Sequence, residues 1–295
     1  MPTNTFITIF TPTYNRRHTI DILFQSLQKQ HSMNFEWIVI DDGSTDNTES
    51  YFCEIKKNAP PFPITYIKKE NGGKHRAIND AVALAQGDLF FVVDSDDYLT
   101  DNATQKIESW YNQLDNNHPW AGIAGLRGFN RSKAIGSNQF TSNYIDAKNT
   151  DRHKFHLDGD KAEVYITNIL KKYPFPEIPG ENFLTEEVVW NAIARDGYYI
   201  RWFNEIIYIC EYLDDGLSKN LSEIEKMNPQ GVLLWVKEQL KTFPNDFKEK
   251  VFAIVAYYNA VKSKKTLTEI SKDIGITKFY LILSIISFKI AKALH

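Results

Sequence analysis

Regular alternation between short apolar runs and stretches of helical spacing, over the first hundred residues, is the feature that most narrows the fold. Apolar runs occur at Phe6–Phe10, Trp37–Ile40, Ile64–Ile67 and Leu89–Val93. Between them, Ile20, Leu23, Phe24 and Leu27 share one helical face, and Ile78, Val82 and Ala85 share another. Strand, helix, strand, helix in this order predicts an α/β fold whose mostly parallel sheet is covered on both faces. In such sheets ligands bind beyond the carboxyl ends of the strands. The residues just after each apolar run are therefore where chemistry is expected.

The first run is followed by Thr11-Pro12-Thr13-Tyr14-Asn15-Arg16, the second by Asp41-Asp42-Gly43-Ser44-Thr45-Asp46, and the fourth by Asp94-Ser95-Asp96-Asp97. Carboxylates gathered where neighbouring strands end repel one another unless something positive binds among them. A hard divalent cation with oxygen ligands is the natural solution. Asp46 and Asp97 also read as caps of local turns, whereas Asp41, Asp42, Asp94 and Asp96 together call for a shared ligand. The third run leads into Asn71-Gly72-Gly73-Lys74-His75-Arg76-Ala77-Ile78-Asn79. Its glycine pair lets backbone approach a ligand closely, and the helix start that follows favours an anion. Lys74 and Arg76 add positive charge there, although an ordinary glycine turn with solvated side chains accounts for the same residues.

Farther along, Trp120–Phe129 reads as a strand with Gly122, Gly125 and Gly128 as close-approach positions; neither a dinucleotide fingerprint nor a P-loop lysine pattern occurs. Residues 130–160 are polar without a clear period and read as a surface excursion. A helix is expected over Lys161–Lys172, stopped by Pro174, Pro176 and Pro179, and another over Glu186–Arg195, ending at Gly197. From Gln230 onward the pattern is mostly helical. The run Phe279–Phe288, followed by Lys289 and Lys292, fits either a helix packed on the body or an interfacial helix with lysines reaching phosphate headgroups. Lys and Arg total 34 against 37 Asp and Glu, a net charge of −3 that offers no footprint for nucleic acid. Cys53 and Cys210 form no disulfide framework, and the start Met-Pro-Thr-Asn lacks the pattern of a signal peptide, so a reducing, cytoplasmic compartment is expected.

Taken together, Pro12-Thr13-Tyr14-Asn15, Asp41-Asp42-Gly43-Ser44, Asn71-Gly72-Gly73-Lys74 with Asn79, and Asp94-Ser95-Asp96-Asp97 resemble the family 2 glycosyltransferases of the GT-A fold. The likeness is strong over the first hundred residues and less specific as far as Asn220. It implies a Rossmann-like nucleotide-diphospho-sugar transferase with a helical C-terminal extension, inverting the anomeric carbon in one displacement. It also implies that Pro12, Tyr14 and Asp41 hold the nucleobase, usually uracil, with Thr13, Asp42 and Ser95 in the same site. Asn71 and Lys74 would line the nucleotide pocket, Asp94 would reach the ribose, and Asp96 would coordinate Mg²⁺ or Mn²⁺ bridging the diphosphate. Many relatives carry an arginine just before the asparagine matched by Asn79; here that position is Ile78, and Lys74 is the candidate replacement.

Glu186-Glu187 before Val188-Val189-Trp190 is similar to the acidic pair that supplies the base in this family, and Glu186 is preferred over Glu187. Thr185 capping a helix whose start favours both glutamates is the other explanation. Glu211-Tyr212-Leu213-Asp214-Asp215-Gly216-Leu217-Ser218-Lys219-Asn220 resembles a segment of bacterial polysaccharide transferases, with Ser218 and Lys219 as contacts, though a turn at Asp215-Gly216 explains it nearly as well. Arg201-Trp202 lacks the preceding glutamine of processive synthases, Tyr198 standing in its place. Likeness to capsule, lipopolysaccharide and cell-wall transferases implies a UDP-sugar donor and a saccharide acceptor, carried on a lipid diphosphate. An enzyme touching the inner membrane face through its C-terminal helix would meet such an acceptor. The expected domains are 1–220, with a nucleotide-binding half 1–100 and an acceptor half 101–220, and a helical extension 221–295. Two other readings stay open: an inactive nucleotide-sugar-binding relative, and a sugar nucleotidyltransferase. The latter calls for a glycine-rich basic signature where Thr11-Pro12-Thr13-Tyr14 stands.

Overall fold

The structure, a computed structural model, describes residues 6–136, 142–211 and 217–293. Tyr212 to Gly216 lie outside the described residues, as do the side chains of Ser218 and Lys219. The strands are β1 (Ile7–Thr13), β2 (Phe35–Asp41), β3 (Ile64–Lys68), β4 (Leu89–Val92), β5 (Tyr98–Leu99), β6 (Trp120–Asn130), β7 (Lys133–Ala134), β8 (Tyr144–Ala147), β9 (Lys161–Ile166) and β10 (Tyr199–Ile209). They form one sheet in the order β3-β2-β1-β4-β9-β6-β10-β5, with β7 beside β6 and β8 beside β10. The β1–β2, β2–β3, β1–β4 and β6–β10 pairs are parallel, while β9 runs antiparallel between β4 and β6. The sheet is thus mostly parallel, as the alternating pattern predicts. Its strand order reverses between β1 and β4, which is where such sheets bind ligands.

Every residue of β2 is buried, as a strand covered on both faces requires. The helices Ile20–Gln28 and Thr48–Lys57 lay Leu23, Leu27 and Phe52 onto the sheet around Trp37, on which Phe24 stacks at 5.9 Å. Each such aromatic or aliphatic burial contributes about 1.5–3 kcal/mol.

Two expectations change. The first half of Lys161–Lys172 is strand β9, and only Thr167–Leu170 is helical. Both edges of this segment are taken by ladders, Leu89 pairing with Ile166 on one side and Gly122 with Tyr165 on the other. Tertiary pairing overrides the local helix preference of Lys, Ala and Glu. Gly122 permits the fit, because a Cβ there would lie 2.0 Å from the Val164 carbonyl oxygen. The described part of residues 130–160 also holds more order than its polarity suggests, including β7, β8 and a 3-10 helix at Asn149–Phe155.

The chain divides into two compact units, Met1–Pro174 with Ile193–Leu213, and Phe175–Ala192 with Asp214–His295. The second contains the helices Leu217–Met227, Pro229–Thr242, Phe247–Val261, Leu267–Ile274 and Lys278–Ala293. Its own core is built on Val236, Ile254, Tyr257, Ile270 and Leu281. The Glu181 carboxylate accepts the N–H groups of Gln230 (2.8 Å) and Gly231 (2.7 Å), capping the helix that Pro229 opens. Asn228 Oδ1 accepts the N–H groups of Asn182 and Phe183, so the 175–192 segment is stitched onto these helices. Among the described residues no single helix is long and apolar enough to cross a membrane.

Candidate active site

The loops leaving β1, β2 and β3 are laced together by side chain–backbone bonds. Asp42 accepts the Gly72 N–H (2.8 Å) and the Gly73 N–H (2.7 Å) on separate oxygens. Its carbonyl accepts Asn71 Nδ2 at 2.9 Å, and its N–H donates to the Thr13 carbonyl at 2.8 Å. Asn15, at the left-handed φ of 53°, donates its N–H to Ser44 Oγ and accepts the Thr45 N–H. Asp41 is fully buried; it accepts the Ser44 N–H on Oδ1 and the Tyr66 hydroxyl on Oδ2. Asp46 binds the N–H and hydroxyl of Thr48 at the start of the next helix, and also the Arg17 N–H. Around this lattice Tyr14 is 49% exposed, Pro12 is half-buried and Asn71 is exposed. Thr13 Oγ1 is buried without a hydrogen-bond partner.

The end of β4 is built differently. Lys74 Nζ donates to Asp94 Oδ1 at 2.7 Å, and Arg127 Nη1 lies 3.5 Å from Asp94 Oδ2. Arg127 comes from β6; its guanidinium sits 4.2 Å over the Tyr208 ring, and its Nε donates to the Lys161 carbonyl at 2.9 Å. Tyr208, from β10, accepts the Asp94 N–H and donates its hydroxyl to Asp97 Oδ2 at 2.7 Å. The Glu211 N–H meets the other Asp97 oxygen at 2.9 Å, so Asp97 ties β4 to β10 instead of capping a local turn. Ser95 is buried, its carbonyl accepting the Thr19 hydroxyl, and Arg16 Nε lies 3.9 Å from Asp96 Oδ2.

Burial favours the neutral form of Asp94, but the Lys74 and Arg127 charges outweigh it and hold the carboxyl at about 2. Burial and the adjacent Asp94 charge push Asp97 up to about 6 and raise Asp96 as well. An anionic Asp94 therefore stands beside two carboxyls whose negative charge is under-compensated. That oxygen-only donor set fits Mg²⁺ or Mn²⁺, which take one or two carboxylates and fill the remaining positions with phosphate oxygens and water. Among the described residues no three Asp, Glu, His or Cys side chains converge as a closed cage.

In the second unit the acidic pair is split in its contacts. Glu187 opens the helix Glu187–Arg195, and its Oε2 accepts Trp235 Nε1 and Gln239 Nε2, both at 2.7 Å. Glu186 is half-buried just before that helix, and its carbonyl accepts the N–H groups of Val189 and Trp190. Glu187 thus anchors the helix start to the C-terminal helices.

A sequence profile described as glycosyl transferase family 2 matches residues 8–173. The chain belongs to that family. Over 126 residues it is 31% identical to the poly(ribitol-phosphate) beta-glucosyltransferase of Bacillus spizizenii, a stretch covering 42% of this chain and 19% of that protein. The chain spans about a fifth of the length of such curated relatives. Among solved structures, TarS 1–349 of S. aureus in complex with UDP-GlcNAc superposes with a TM-score of 0.61 at 17% identity, covering 87% of this chain and 81% of that one. The mannosyltransferase PcManGT of Pyrobaculum calidifontis, in complex with GDP-Man and Mn²⁺, gives 0.58 at 15% identity, covering 96% and 86%. Both likenesses confirm the GT-A fold.

Ile78 is buried in its helix, whereas Lys74, one turn earlier, reaches Asp94. Sequence reasoning missed Arg127 and Tyr208. The available signal was Gly125-Leu126-Arg127-Gly128, a charge inside an otherwise apolar strand flanked by close-approach glycines.

Proposed function

We propose that this chain transfers a sugar, with inversion, from a UDP-sugar to a saccharide hydroxyl in the building of a bacterial surface polysaccharide. The observation that carries the proposal is Asp94 held anionic between Lys74 and Arg127, next to an Asp96 whose charge is not fully met. Tyr14 supplies an exposed ring for the nucleobase, flanked by Pro12 and by the buried Thr13 hydroxyl. Asp41 is assigned to the imide N–H, Asn71 and Ser95 to the rim of the pocket, and Asp42 to fixing the glycine loop that frames it. Asp94 accepts the ribose hydroxyls. Asp96 would hold a divalent cation, which would supply charge neutralisation to the departing diphosphate. Lys74 adds a fixed positive charge on the same side. Glu186 takes the proton of the acceptor hydroxyl as its oxygen bonds to the anomeric carbon and the nucleoside diphosphate leaves. Glu187, already bonded to Trp235 and Gln239, positions that segment. The UDP-GlcNAc complex of TarS supports uracil as the base, and the poly(ribitol-phosphate) relative supports a polymeric acceptor.

The test is a thermal-shift screen of UDP, GDP and their sugars with and without Mn²⁺. A ligand at 100 times its Kd raises stability by about 2.7 kcal/mol. A Mn²⁺-dependent rise with UDP, lost in Asp96→Ala, together with donor turnover lost in Glu186→Gln, supports the proposal. Donor binding with neither hydrolysis nor transfer would instead identify a nucleotide-sugar-binding relative without activity.

A further inference from the structure

The helix Lys278–Ala293 carries an apolar face that the protein leaves in solvent. Phe279 is 76% exposed, Ile286 49% and Ile290 56%, with Ile282 and Leu283 also exposed. At about 100° per residue these five positions fall within one arc of roughly 100°. The opposite side holds Leu281 and Ser284, both fully buried, with Tyr280 and Ile285 packed against the helical core. The exposed face is therefore not the core-facing stripe of an ordinary surface helix but its reverse. Lys278, Lys289 and Lys292 lie along one flank, all exposed, and the helix contains no Asp or Glu.

We infer that this face lies in the interface of an anionic lipid surface. The charge pattern selects that occupant. Packing against a second copy of the same helix would cover the apolar faces but leave the three lysines without acidic partners, since neither helix carries an Asp or Glu. Phosphate headgroups meet all three while the five apolar side chains enter the acyl boundary. The helix has 16 residues, about 24 Å of rise, short of the roughly 30 Å of a bilayer core. With Leu281 and Ser284 committed to the protein core, it lies along the surface and does not cross it. This inference stands independently of the transferase reading.

The test is co-sedimentation of the full chain with vesicles of phosphatidylcholine alone or mixed with phosphatidylglycerol. Binding to the anionic vesicles, weakened by salt, is expected. Ile286→Asp with Ile290→Asp should lower the bound fraction more than tenfold. Lys289→Glu or Lys292→Glu should each cost at least about fivefold, on anionic vesicles only. A Phe279→Ser variant, less disruptive, should fall in between. The melting temperature and far-UV circular dichroism should match the parent in every variant, which separates loss of membrane binding from loss of fold. Equal binding to neutral and anionic vesicles, or no binding, overturns the inference. So does a concentration-dependent dimer in sedimentation velocity that Ile286→Asp abolishes, since a second copy would then cover the face.

Discussion

The acidic strand ends after β2 and β4 carry nearly the same letters and differ in physics. At β2, Asp41 and Asp42 are surrounded by donors from their own and neighbouring loops: the N–H groups of Ser44, Gly72 and Gly73 and the Tyr66 hydroxyl. Hydrogen bonds of this kind stabilise a buried carboxylate without any counter-ion. At β4, Asp94 is matched by two full charges delivered from the helix Lys74–Leu84 and from β6, while Asp96 and Asp97 are pushed toward their neutral forms. In the first, Asp42 is scaffolding that holds the glycine loop in place. The other is an uneven charge distribution, which under the proposed function a cation and a diphosphate would complete. Acidic residues at strand ends are therefore not one signal but two, told apart by what donates to them.

Breaking the β2 lattice should have the largest effect on stability. Asp42→Ala removes the acceptor of two charge-assisted bonds and leaves the buried Gly73 N–H unsatisfied, so a loss of roughly 3–5 kcal/mol in urea unfolding is expected. A variant as stable as the parent would erase the contrast between the two ends. At β4 the opposite pattern is expected. Asp96→Asn replaces a carboxyl whose ionisation the fold disfavours, so stability should hold or rise slightly. The same change should remove the Mn²⁺-dependent part of the donor-induced shift, about 2–3 kcal/mol near saturation. Unfolding of Asp96→Asn would place both clusters in the scaffolding class.

Much of the first hundred residues was legible because period and turn chemistry agree there: β1 to β4 stand where apolar runs predict them, and the motifs fall at their carboxyl ends. What the sequence could not convey is order in the sheet. β9 enters between β4 and β6, far from either in sequence, and its Lys-Ala-Glu start reads as helix because local propensity knows nothing of two waiting strand edges. Arg127 and Tyr208 reach Asp94 from β6 and β10 for the same reason, 33 and 114 residues away along the chain. The roles of the paired acids were equally hidden. Nothing in Asp41-Asp42 or Glu186-Glu187 reveals which member is bonded to loop amides or to Trp235 and Gln239 until those partners are placed. The apolar, lysine-bearing C-terminal helix was visible as composition, but which of its faces packs inward is a property of the core it meets.

The support behind the β4 end offers a smaller effect. Lys161, whose carbonyl holds Arg127, is only 2% exposed, and burial with the nearby Arg152 charge lowers its ammonium to about 8 from 10.5. Between those two values the unfolded chain binds more protons than the folded one, so this group makes stability rise with pH across that window and contributes no slope below it. The full swing is on the order of 3 kcal/mol. Lys161→Met should lack it, which urea midpoints at pH 7.5 and pH 10 would register. A parallel pH response in parent and variant would mean that Lys161 is solvated as an ordinary lysine and that the backbone beneath Arg127 is looser than the geometry implies.

The smallest effect reads the charge at β4 directly. Cys210 is half-buried, and burial together with the Asp97 charge pushes its thiol up to about 12, whereas Cys53 is exposed. The thiolate is the reactive form. At pH 8.5 the Cys210 thiolate fraction should be on the order of a thousandfold below that of an ordinary thiol, so iodoacetamide should label Cys53 alone, as peptide mass spectrometry would resolve. Asp97→Asn should then raise Cys210 labelling by severalfold, because it removes one of the two charges that push the thiol up and leaves burial. Asp42→Asn, whose charge is neutralised within its own loops, should leave it unchanged. If both substitutions altered Cys210 equally, the β2 charge would be reaching across the sheet, and the distinction between a locally satisfied acidic end and an under-compensated one would not hold.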